Sequence, residues 1–136
     1  MRVPLTVLDF IERAELVYGD RIGIVDEPDQ PAESLGELTW KEVARLARAQ
    51  AAGFDALGVG HGERVAMVTQ NSARLLTAFF GVSAYGRVLV PINFRLSAEE
   101  VAYIVEHSGA SVLLVDPELE ESLAGVRARH RFVIGK

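Results

Sequence analysis

Hydrophobic positions alternate between helical and extended spacing along this chain, and the change-overs mark its elements. Leu8 and Ile11, with Glu12 and Glu15, give residues 7–18 one apolar and one charged side, which predicts a helix. Thr6 is placed to cap it, Asp9 lies three residues on, and Gly19 stops it. Ile22 to Val25 then reads as a short strand. Residues 27–33 hold Pro28, Asp29 and Pro31, which predicts a solvated loop returning to a second short strand at Glu37 and Leu38. Thr39-Trp40-Lys41-Glu42 is a capping-box pattern, in which a hydroxyl and a carboxylate each satisfy a free backbone donor. The helix it opens reaches Leu57, with Val43, Leu46, Ala47, Gln50 and Phe54 at helical spacing and Gly58 suited to the left-handed stop.

From Arg64 onward the pattern becomes strand, helix, strand, helix, strand. Val65 to Val68 and Val88 to Ile92 are nearly continuous apolar runs, the form expected of strands covered on both faces. Leu75, Leu76, Phe79, Phe80 and Val82 make the helix from Ser72 to about Tyr85 apolar nearly all round, which predicts burial between layers. Ser97-Ala98-Glu99-Glu100 is another capping box, opening a helix to about His107 that Gly109 ends. Val112 to Val115 is the next strand, Pro117 suits a short helical turn, and residues 131–134 form a last strand. This alternation predicts an α/β fold: a largely parallel sheet flanked by helices on both faces, with the two early strands as a short antiparallel annex at an edge. No helix follows Ile134, so the face of the last strand is expected to be bare.

Composition narrows the classes. A chain of 136 residues supports one domain that buries about two-thirds of its unfolded surface. The net charge of −5 argues against nucleic acid as a partner, since phosphate binding needs a basic footprint. The absence of cysteine leaves no disulfide framework and agrees with a cytoplasmic location. Arg2 and Pro4, followed by Asp9 and Glu12, do not make a signal peptide, and no apolar run is long enough for a transmembrane segment.

Four groups of residues have the makings of chemistry. The glycines of Gly58-Val59-Gly60-His61-Gly62 follow a helix and open a strand, the reverse of the order a phosphate loop needs, so they read as a helix stop and turn. Thr69, Gln70, Asn71 and Ser72 leave one strand, and Asn93, Phe94 and Arg95 leave another. Ligands of open α/β sheets sit outside such strand ends, which makes Asn71, Asn93 and Arg95 the candidates for one wall of a cleft. The plainer reading is that Asn71 or Ser72 caps the next helix and Ser97 the one after. His61, His107 and His130 are scattered without a metal-binding spacing, and read as surface or helix-end residues. Glu99, Glu100 and Glu118 occupy first helical turns, where the helix dipole favours them, and with Glu106, Glu120 and Glu121 read as a solvated face. These residues assign no catalytic, cofactor-binding or metal-binding position.

The order Leu57-Gly58-Val59-Gly60, Gly62-Glu63-Arg64-Val65, Asn71-Ser72, Val90-Pro91-Ile92-Asn93, Leu96 through Glu100, and Ser108-Gly109-Ala110 into Val112 to Asp116 resembles one family. It is similar to the N-terminal subdomain of the acyl-adenylate-forming enzymes, which include acyl-CoA synthetases, luciferases and peptide-synthetase adenylation domains. The resemblance implies that residues 1–136 are the first part of the large N-terminal domain of such an enzyme. It further implies ATP, magnesium and coenzyme A as cofactors of the parent, with a fatty or aryl acid as substrate. The family's ATP loop, a Ser/Thr/Gly-rich run ending in Pro-Lys-Gly, would follow Lys136, so the resemblance implies that this stretch alone is inactive. Its partner would be the rest of its own polypeptide, and residues 6–18 could meet a neighbouring subunit in a homodimer. Rival readings are a stand-alone α/β binding or assembly module, and a small flavodoxin-like regulator, which the Thr69, Asn71 and Asn93 strand ends fit poorly.

Overall fold

The structure is a computed structural model that describes residues 6–135. Arg2, Pro4 and Lys136, on which parts of the sequence reading rest, lie outside the described residues.

The elements run α1 (Val7–Tyr18), β1 (Ile22–Val25), β2 (Glu37–Thr39), α2 (Trp40–Ala56), β3 (Arg64–Val68), α3 (Ala73–Ser83), β4 (Val88–Ile92), α4 (Ala98–Ser108), β5 (Ala110–Val115), a 3-10 turn (Pro117–Leu119) and β6 (His130–Val133). Caps set several of the boundaries. The Asp9 carboxylate accepts from the Thr6 backbone and hydroxyl, and the Thr39–Glu42 and Ser97–Glu100 boxes close reciprocally. Each box satisfies donors that a helix start otherwise leaves free.

Four strands form a parallel sheet in the order β4-β3-β5-β6, with Val65 beside both Leu89 and Val112 and Leu114 beside Phe132. The period of two divides the inner strands between two cores. Val65, Met67, Val112 and Leu114 face Phe54 of α2 and Ala78 and Val82 of α3. Ala66, Val68, Leu113 and Val115 face Val101 and Val105 of α4, with Leu123 and Val126. β1 and β2 pair antiparallel as a separate sheet, and Ile24 and Leu38 pack with Ile11 of α1, Val43 and Ala44 of α2 and Ala73 of α3. The annex therefore hangs on helices, whereas the sequence reading placed it at an edge of the main sheet. Burying Ile11 contributes about 1.5–3 kcal/mol to holding α1 in place.

Several expectations fail at the periphery. β4 is an edge strand, not one covered on both faces, and Val88 is 48% exposed. Pro91 within it, opposite Met67, is the physical sign, because a residue without an N–H is tolerated where no outer neighbour needs it. α3 is not buried between layers: Ala73, Thr77, Ala78 and Val82 face inward, while Leu76 and Phe79 are exposed. The bare apolar surface is not confined to the last strand, where Phe132 is exposed. It is larger on α1, where Leu16 is 86% and Phe10 62% exposed. The loop at residues 27–33 is anchored as well as solvated, since Ala32 is buried and Gln30 bonds the Asp26 carboxylate at 2.8 Å.

Candidate functional site at the carboxyl ends of the strands

The chain passes from β3 to β4 on one side, then crosses back over β3 to β5 and on to β6. The winding therefore reverses between β3 and β5, and α3 and α4 lie on opposite faces of the sheet. In open α/β sheets ligands lie outside the carboxyl ends of the strands at such a reversal. Thr69 and Gln70 leave β3 there, and Asp116 and Glu118 follow β5.

Two hydrogen bonds close that point. The buried Thr69 hydroxyl donates to Asp116 Oδ2 at 2.8 Å, and Gln70 Nε2 donates to Glu118 Oε2 at 2.9 Å. Asp116 Oδ1 also accepts from the Glu118 backbone N–H at 3.2 Å, which starts the 3-10 turn. The crevice is thus a polar seam with its groups paired.

Asn71, Asn93 and Arg95 sit at the same end of the sheet but serve local turns. Asn71 is exposed, beside a shallow depression it shares with Ser72, Leu75, Leu76 and Phe79. Asn93 Oδ1 accepts from the Arg95 backbone N–H at 3.0 Å, and the Arg95 guanidinium lies 5.2 Å from the centre of the Phe94 ring. Asn71 follows β3, which flanks the reversal, whereas Asn93 and Arg95 follow the edge strand β4, one strand away from it. The capping reading holds for the serines: Ser72 Oγ accepts from Leu75 N–H and Ser97 Oγ from Glu100 N–H, each at 3.3 Å.

Sequence reasoning missed Asp26. It follows β1 and is buried, and its carboxylate accepts from the N–H of Ala73 at 2.7 Å and of Leu35 at 2.8 Å. Burial pushes its pKa up, but the N–H groups of Ala73 and Leu35 and the Gln30 amide outweigh that and hold it below the ordinary carboxylate value. An Asp ahead of a Pro-containing loop gave no signal for a partner 47 residues away.

The other candidates are structural. Gly58 and Gly62 have positive φ, Val59 between them is buried, and the Gly62 N–H bonds the Gly86 carbonyl at 2.7 Å, so the glycine cluster is a turn. His61 is exposed, and His107, in the last turn of α4, stacks on Tyr103 with centroids 5.4 Å apart. His130 departs from the surface expectation: it is half-buried on β6, and its Nε2 is buried. Among the described residues, no group of three or more His, Asp or Glu side chains could hold a metal ion. Lys41 is paired with Asp20 at 2.7 Å.

The residues from 11 to 134 match the family of AMP-binding enzymes, and the chain belongs to that family. It is 39% identical over 133 residues to a long-chain-fatty-acid–CoA ligase of Thermus thermophilus, an alignment covering 98% of this chain and 24% of that protein. Its fold superposes with a TM-score of 0.87 on the anthranilate CoA ligase AuaEII in complex with anthranoyl-AMP, at 29% identity, covering 99% of this chain and 26% of that one. It superposes with a TM-score of 0.83 on the inhibitor-bound N-terminal domain of FACL13 from Mycobacterium tuberculosis, at 26% identity, covering 94% and 33% respectively. The chain spans about a quarter of the length of the curated relative it matches. Among the described residues no helix is long and apolar enough to cross a membrane.

Proposed function

We propose that this chain is the structural front part of an AMP-forming acid–thiol ligase. The parent joins a carboxylate to ATP, releasing pyrophosphate and leaving an acyl-adenylate, then passes the acyl group to the thiol of coenzyme A. The observation that carries the reading is the family match from residue 11 to residue 134, which takes in both sheets and every helix core described above. A fatty or aryl acid is the proposed substrate, supported by the ligase names of the relatives. ATP, magnesium and coenzyme A are the proposed cofactors of the parent, held by residues beyond those described. Residues 1–136 supply the first part of its large N-terminal domain, and Asn71, Asn93 and Arg95 line the rim of its cleft. The isolated chain has no adenylating activity of its own.

The proposed partners are the remainder of the same polypeptide and, through α1, a second subunit in a homodimer. Nucleic acid is not among them, in keeping with the net charge of −5. The proposed location is the cytoplasm.

Acid-dependent exchange of pyrophosphate into ATP tests the reading, with the protein from the whole reading frame beside the 136-residue chain. The whole protein should exchange with fatty or aryl acids and the chain should match a blank. No exchange by the whole protein with any acid would overturn the ligase reading in favour of a binding or assembly module. Exchange by the chain alone would overturn its assigned inactivity.

A further inference from the structure

α1 differs from its neighbours in how little holds it. Among the described residues, Ile11 is the one residue of α1 that is buried, whereas α2 buries Val43, Ala44, Ala47, Ala51 and Phe54. At 12 residues α1 is near the length at which a helix in water depends on tertiary support. Elements held by few apolar contacts are where a fold opens locally, below the cost of unfolding the whole.

The base of α1 is fastened more firmly than the helix itself. The Gly19 carbonyl, just past the last turn, accepts from the Lys41 N–H at 3.0 Å. The Trp40 N–H bonds the Arg21 carbonyl at 3.1 Å, and the Lys41 ammonium pairs with Asp20 at 2.7 Å. Residues 19–21 are thus tied to the start of α2. Along the helix the ties are sparser. Ile11, with the half-buried Leu8, joins the apolar cluster of Ile24, Leu38, Val43, Ala44 and Ala73. The Glu15 carboxylate accepts from both Nη1 and Nη2 of Arg48 on α2, each at 2.7 Å. Solvent reaches that pair, since the Arg48 side chain is 49% and the Glu15 side chain 29% exposed.

We propose that α1 is a hinged strap, which opens as a unit about residues 19–21 while the main sheet stays folded, and whose closure braces the start of α3. Ile11 is the plug and Glu15–Arg48 the clasp. The brace runs through the cluster that Ile11 shares with Ala73, the first residue of α3 and two residues past Asn71. The Ala73 N–H is bonded to Asp26, so uncovering that cluster admits water to the bond that starts α3. A contact made on the outer side of α1 is passed in this way to the loop that leaves β3. The inference does not rest on the ligase reading, because the opening belongs to the fold and needs neither ATP nor an acid.

Hydrogen–deuterium exchange read by mass spectrometry tests it on the protein from the whole reading frame, with peptides covering residues 7–18, 64–68 and 72–76. Residues 7–18 should exchange roughly a hundredfold faster than 64–68, and with a weaker dependence on low urea, since a small opening exposes little surface. Ile11→Ala should raise exchange at 7–18 about tenfold or more, raise it at 72–76 as well, and leave 64–68 unchanged. Arg48→Met should raise exchange at 7–18 by about twofold to fivefold. Exchange of 7–18 in step with 64–68, at the same urea dependence, would overturn the proposal, because α1 would then open only when the whole domain unfolds. Residues 72–76 unmoved in Ile11→Ala would overturn the brace on α3, and an unchanged rate at 7–18 in Arg48→Met would overturn the clasp. The comparison of 7–18 with 64–68 needs no variant, so a variant that failed to fold would not rescue the idea.

Discussion

The Asp26 carboxylate, at the end of β1, caps the first residue of α3 by accepting from the Ala73 N–H at 2.7 Å. The same carboxylate accepts from Leu35 N–H and Gln30 Nε2, each at 2.8 Å, so one side chain ties the small sheet, its connecting loop and α3 together. Helix starts leave their first N–H groups free, and a buried one without a partner is costly. Asp26→Ala should therefore lower unfolding free energy by about 2–4 kcal/mol in urea denaturation. Asp26→Asn should also destabilise, because its amide NH₂ would face N–H donors. A loss no larger than that of an exposed Asp would show that the tie contributes nothing.

Acid should loosen the molecule through Glu63. Its carboxylate accepts from the Ser111 hydroxyl and the Gly60 N–H and pairs with Arg129. The Ser111 hydroxyl foremost, then the Gly60 N–H, then Arg129, bring its pKa from 4.5 to about 2. The unfolded chain takes up this proton first. The contribution is therefore complete above about pH 4.5 and disappears as pH falls from there toward about 2. Glu63→Gln should flatten the fall in melting temperature across that window and leave the profile above it parallel to wild type. An unchanged slope would show that other carboxylates govern acid unfolding.

Gly86 meets His61 across the turn that joins α3 to β4. Its φ is +80°, and a Cβ there would collide with the His61 ring. The left-handed conformation costs an L-residue about 1–2 kcal/mol, and displacing His61 adds to that. Gly86→Ala should lower stability by at least that amount, and adding His61→Ala should restore only the steric part. Full recovery in the double variant would mean that the backbone carries no strain.

Much of this fold could be read from spacing, and the exceptions share a cause. Residues 7–18 and 22–25 read as elements at the observed bounds, because caps and apolar period act within a few residues. Burial depends on what lies alongside. The run at Val88–Ile92 resembles a central strand, yet only strand order makes β4 an edge, with Pro91 as the local hint. Leu76 and Phe79 look like core on α3 until the helix is seen to have a single covered side. That Asn71, Asn93 and Arg95 follow strand ends was legible in the sequence. The reversal between β3 and β5 was not, since Thr69 and Asp116 meet only through the pairing of those strands.

The rim of the proposed cleft gives a kinetic prediction. Asn93 shapes the turn that presents Arg95, and Arg95 rests against Phe94. In the whole protein, Asn93→Ala and Arg95→Ala should lower kcat/KM for adenylation by about tenfold to a hundredfold, the scale of a misplaced positioning group. Circular dichroism should remain unchanged, because these side chains are on the surface. Wild-type kinetics with every acid would remove them from the site.

The exposed side of α1 gives the prediction for assembly. Ile11 anchors the helix inward, while Val7, Phe10 and Val17 recur outward at spacings of three and seven, and the exposed Leu16 lies about 100° further round. Single exposed apolar residues need no explanation, but a row along one helix is the form of a contact surface. Deleting the helix would also remove Ile11 from the core, so surface substitutions are the sharper probe. Phe10→Glu with Leu16→Glu should convert a dimer to a monomer in sedimentation velocity, with little change in melting temperature of the dissociated chain. The same sedimentation coefficient before and after substitution would place any subunit contact elsewhere. A wild-type protein that is monomeric at every concentration would remove the homodimer altogether, and α1 would then face another part of its own polypeptide or solvent.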